Sequence, residues 1–130
     1  MLRYNPLKTP DPDEWLGADE QELIRAVLRY HRKKRIRLPD ENLHASIHVI
    51  VENQAAMGDE TPVAEAIERL MGEGIDRHEA IHAVGSVLSS YLFSMMGGGP
   101  GTSGRNWKND YFDEVRKLTV DMWYERWGDG

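Results

Sequence analysis

Apolar residues recur every three to four positions in five stretches of this chain, the spacing that lines up one side of a helix. The first stretch, 19–34, carries Leu23, Val27, Tyr30 and His31 among charged residues. The second, 41–57, follows Pro39 and an Asp40 N-cap, carries Leu43, Ile47, Ile50 and Val51, and stops at Gly58. Val49 falls off that stripe, which predicts a helix covered on more than one side. The third starts at Thr61-Pro62, a capping hydroxyl followed by a proline, and runs to Met71 with Val63, Ile67 and Leu70 inward. The fourth, 76–96, opens on Asp76-Arg77-His78-Glu79, which has the form of a capping box, and turns Ile81, Val84, Leu88, Leu92 and Met95 inward. The fifth, 109–127, puts Phe112, Val115, Leu118, Met122 and Trp123 on one side.

No strand-like alternation is long enough to compete, and no internal repeat appears. The pattern predicts an all-α fold: one domain over 1–130, built as a bundle of about five helices. Residues 1–11 form an extended arm, with prolines at 6, 10 and 12, and Trp15 and Leu16 pin a short turn to the body. Residues 97–106 form a flexible glycine-rich loop before the last helix. Gly97–Gly104 is no phosphate loop, because it lacks the lysine followed by Ser or Thr.

Composition narrows the chemistry. There is no cysteine, so any metal must sit on His, Asp or Glu. That absence fits a cytoplasmic protein, and the N-terminus has no apolar run of a signal peptide. No stretch reaches membrane-spanning length. The net charge of −6 favours solubility and argues against a nucleic-acid partner. The basic run Arg32-Lys33-Lys34-Arg35 reads as a solvated helix end whose charge suits the dipole.

Four of the five histidines fall into two i, i+4 pairs, His44/His48 and His78/His82. On a helix this spacing points both rings the same way, one turn apart, within reach of one ion. Glu52 extends the first row. The second row, His78-Glu79-Ala80-Ile81-His82, is the His-Glu-x-x-His string of zinc peptidases, in which the glutamate is the general base. A metzincin would place a third histidine where Leu88 stands, and no histidine follows His82. Two helices that each offer a histidine pair are a better source of ligands. The expected metal ligands are therefore His44, His48, Glu52, His78 and His82, holding a divalent ion with zinc favoured. His31, at the end of its helix, approaches His44. Both rows flank their apolar stripes on the same rotational side. They meet only if their helices run antiparallel.

The strings Leu43–Gln54, Glu68–Met71 and Gly74–Gly85 resemble the bacterial domain-of-unknown-function 1841 family. The resemblance covers about residues 40–92 closely. It implies a small bacterial helical protein centred on these His/Glu motifs, and it brings no activity with it. The Gly97–Gly104 segment departs from the compact family pattern.

Three functions follow from these residues. One is a metal-binding helical protein. The second is a metal-dependent hydrolase with Glu79 as general base. The third is a structural or interaction protein whose His/Glu row is a buried hydrogen-bond network without metal. In that case Trp107, Trp123, Tyr124 and Trp127 form a patch for homo-oligomer formation, although core packing of the last helix accounts for them as well.

Overall fold

Local capping decides where most helices begin. The computed structural model describes residues 2–34, 40–96 and 107–127. Among these it contains seven α-helices and no strand: α1 (Pro12–Gly17), α2 (Glu20–Lys33), α3 (Glu41–Ala56), α4 (Val63–Gly72), α5 (Arg77–Met96), α6 (Trp107–Lys117) and α7 (Val120–Trp127). The 97–106 loop, Arg35, Pro39 and the side chains of Met95 and Trp127 lie outside the described residues.

Asp11, Asp19, Asp40 and Asp76 each accept a backbone N–H from the first turn that follows. Thr61 hydrogen-bonds Val63 N and donates to Gln54 O, which ties the start of α4 to the end of α3. Glu79 does not complete a capping box. Its carboxylate accepts instead from the Trp123 indole N–H at 3.1 Å.

The fifth apolar stretch is two helices rather than one. Arg69 on α4 reaches across and donates to the carbonyls of Val115 and Leu118, which ends α6. Thr119 then caps Met122 N, and Glu73 accepts from Val120 N. A cation from another helix thus joins the local Thr119 cap in marking the break.

α3 is the central element. One side, with Val51, packs into a cluster that includes Leu70, Ile81, Val84, Leu88, Tyr111 and Val115. The other, with Ala45 and Val49, packs against Tyr4, Trp15, Leu23 and Val27. The covering on two sides expected from Val49 is present. Leu43 was expected inward but is 39% exposed, and of the Trp15-Leu16 pair only Trp15 is buried. No helix among the described residues is long and apolar enough to cross a membrane.

α3 and α5 approach closely at Gly85. A Cβ built there would lie 2.9 Å from Ile47 Cγ2, inside ordinary contact. Gly85→Ala is expected to cost about 1–3 kcal/mol in urea unfolding as the two helices are pushed apart. An unchanged midpoint would mean that Ile47 simply rotates away.

Candidate metal centre

Three helices bring all five histidines together. His31 comes from the last turn of α2, His44 and His48 from the first half of α3, and His78 and His82 from the start of α5. Their donor atoms all lie within 4.8 Å of one another. His44 faces His82, with ring centroids 4.8 Å apart, while one turn further along α3 His48 also meets His78 at 5.2 Å. Beyond them Glu52 meets Arg77. On this side the two helices therefore run in opposite senses, as convergence of the two rows requires.

Hydrogen bonds set the tautomers of two rings. His31 donates through Nδ1 to Val27 O at 2.8 Å, which leaves Nε2 as a lone pair. The Tyr4 hydroxyl donates to Glu52 Oε2 at 2.7 Å, so its oxygen accepts from His48 Nδ1–H at 3.0 Å. His48 Nε2 thus also carries a lone pair, 3.1 Å from His82 Nε2. Nε2 of His31, His44 and His78 are buried with no hydrogen-bond partner. Each buried polar nitrogen left without a partner costs about 1–3 kcal/mol. Three of them aimed into one cluster call for a shared partner.

An ion fits that description. Metal–nitrogen bonds near 2.1 Å put neighbouring ligands about 3 Å apart and opposite ligands about 4.2 Å apart. The His48–His82 separation has the first value. Small ring rotations bring the widest pair to the second. The donors are all imidazole nitrogen, a set that suits Zn, Ni, Cu or Fe and is poor for Mg and Ca, which need oxygen.

Glu52 stands outside this group. Both its oxygens accept from Arg77 at 2.8 Å, in a pair whose side chains are 0% and 4% exposed. Arg77 also donates to Pro6 O at 3.0 Å. Glu52 is thus placed to hold Tyr4 against His48, an arrangement that orients a ligand ring and tunes its basicity. Burial and the neighbouring Glu52 charge raise the Tyr4 pKa well above 10, so its proton stays in place. Sequence spacing pointed to four of the five histidines in the cluster. It left His31 at the margin and missed Tyr4, whose only signal was an aromatic residue in a proline-rich arm.

Burial, then the charge of neighbouring rings, holds His44, His48, His78 and His82 neutral. His44 and His78 are lowered from 6.5 to about 4 and His82 to about 3, and His48 is lowered well below its ordinary value. In the unfolded chain the same rings take up protons near pH 6.5. The unfolded state therefore binds more protons below that pH, and stability falls as pH falls. Metal-free protein is expected to hold a flat urea midpoint above pH 6.5 and lose it steeply between pH 6.5 and 4. A midpoint flat through that window would show that the rings are not desolvated.

A cavity of about 760 Å³ opens beside the cluster. His44, His48 and His82 belong to both, and Ile47, Ile81, Phe93 and Trp123 supply much of the remaining wall. Glu79 is neither in the donor group nor in that wall. Comparison of the chain with protein-family models, curated proteins and solved structures finds no match.

Proposed function

We propose that this protein binds one divalent transition-metal ion through His31, His44, His48, His78 and His82. The observation that carries the reading is the convergence of five imidazoles within 4.8 Å, with three buried Nε2 atoms unpartnered. Five neutral nitrogen donors suit five- or six-coordination, and zinc is the first ion to test. The strings that resemble the domain-of-unknown-function 1841 family carry four of the five donors, and membership of that family is part of the same proposal.

Binding is favoured over hydrolysis. A general base must reach the metal-bound water, and the Glu79 carboxylate is engaged by Trp123 instead. A metal-free network explains the His48–His82 contact but leaves the other three Nε2 atoms bare. The test is metal analysis of protein purified without a histidine tag, beside a His48→Ala/His82→Ala double variant. About one equivalent in the first and almost none in the second is expected. Equal, negligible metal in both, even after incubation with zinc, rejects the proposal.

A further inference from the structure

We propose that the cavity beside the histidines takes a small carboxylate with an apolar body, its carboxylate on the metal ion and its hydrocarbon among Ile47, Ile81, Phe93 and Trp123. This rests on the metal reading above and adds a ligand class to it. Three observations carry it.

The first is placement. His44, His48 and His82 line the cavity while also belonging to the donor group, so a coordination position left open by five imidazoles faces that space. His31 and His78 do not line it. The cavity volume of about 760 Å³ lies within the range of small-molecule sites, about 300–1,000 Å³.

The second is charge. Imidazole binds metals as a neutral ligand, so an ion held by five of them keeps its full charge in a half-buried site. Of the nearby carboxylates, Glu52 is already neutralised by Arg77, and Glu79 is engaged by the Trp123 indole N–H. The open position therefore favours an anion. Among the described residues no Lys or Arg lines the cavity, which leaves a phosphate's second charge without a partner there and makes a singly charged carboxylate the better match.

The third is the wall. Carbon dominates it, and two of its serines turn inward on their own helix: Ser86 donates to Ala83 O and Ser90 to Ser86 O. Such a wall makes few polar demands on an occupant. Water on the metal would satisfy the ion but leave this apolar surface wet. Phe93 stands at the rim with 61% of its surface exposed. It is placed to close over a bound hydrocarbon.

The experiment uses the full chain in three steps. Cobalt(II) is titrated first and followed by its visible absorption. Calorimetry of the cobalt-loaded protein then compares 4-phenylbutyrate with 4-phenylbutanol, which lacks the anion, and with acetate, which lacks the body. The same ligands are finally added to metal-free protein and to Ser89→Trp, which fills the cavity. We expect 4-phenylbutyrate to perturb the cobalt spectrum and to bind at least tenfold tighter than either control. Ser89→Trp should keep cobalt and lose that binding by tenfold or more. Should Ser89→Trp fail to fold, Phe93→Ala reads the same contact from the exposed rim, with a several-fold loss expected. Acetate binding as tightly, equal binding to metal-free protein, or no loss in the variant that folds overturns the proposal. Cobalt bound with no response to any ligand overturns it alone, whereas failure to bind cobalt overturns the metal reading as well.

Discussion

Excess zinc added to the metal-free protein is expected to raise its melting temperature by roughly 15 °C, and a chelator to reverse the rise. An ion that binds only the folded state stabilises it by RT ln(1 + [L]/Kd), about 4 kcal/mol at a thousandfold excess over Kd. A domain of this size gains about 4 °C per kcal/mol. The gain is large because the folded chain already holds the five rings together, and their unpartnered Nε2 atoms are part of what the ion relieves. Thermal melts followed by circular dichroism, with and without zinc, measure it. His48→Ala should abolish most of the shift. A shift of the same size in that variant would place the zinc elsewhere on the surface.

Glu52→Ala is expected to cost about 3–5 kcal/mol in denaturant unfolding, the largest loss from any single substitution considered for this chain. Removing the carboxylate strands Arg77 as a buried, unpaired cation and takes away the acceptor of the Tyr4 hydroxyl. The variant should also bind metal about 10–100-fold more weakly, because His48 loses its oriented partner. Tyr4→Phe separates the two effects. It spares the ion pair and should cost only about 1 kcal/mol in stability, yet weaken metal binding by a similar factor. Calorimetric zinc titration of both variants is the check. If Tyr4→Phe binds zinc as the parent does, the Tyr4 bridge has no influence on the site.

The helices were legible because their signals are local. Asp40, Thr61 and Asp76 place three starts to within a residue or two, and the stripe of α4 and the Ile81, Val84 and Leu88 part of the α5 stripe are buried as their periodicity predicts, with Leu92 half-buried. The break at Leu118–Thr119 was missed: Thr119 is a local cap that the apolar stripe hid, and Arg69, far away in sequence, holds the carbonyls at the end of α6. Leu43 was misplaced for a related reason. α3 turns His44 and His48 toward α2 and α5, and Leu43 rotates toward solvent.

The candidate site shows the same division. An i, i+4 pair spans one turn, and both pairs reach the cluster. Glu52 extends the row by a second turn, which puts its backbone about 12 Å along the axis from His44. That is too far to share an ion, and it meets Arg77 one residue before His78. His31 has no partner at helical spacing. It joins only because α2 and α3 pack together, and its ring centroid lies 4.9 Å from those of both His44 and His48.

The arm that carries Tyr4 and Pro6 adds a constraint in time. Tyr4 is separated from Glu52 by 48 positions and Pro6 from Arg77 by 71, so the first contact cannot form until α3 has been made and the second until α5 has begun. At synthesis rates of about 5–20 residues per second, the arm waits for seconds after leaving the ribosome. Helices with local contacts settle first, and such long closures come late. The arm, made before the helices it docks on, is thus among the last parts to find its place, and His48 acquires its fixed tautomer only when the arm docks.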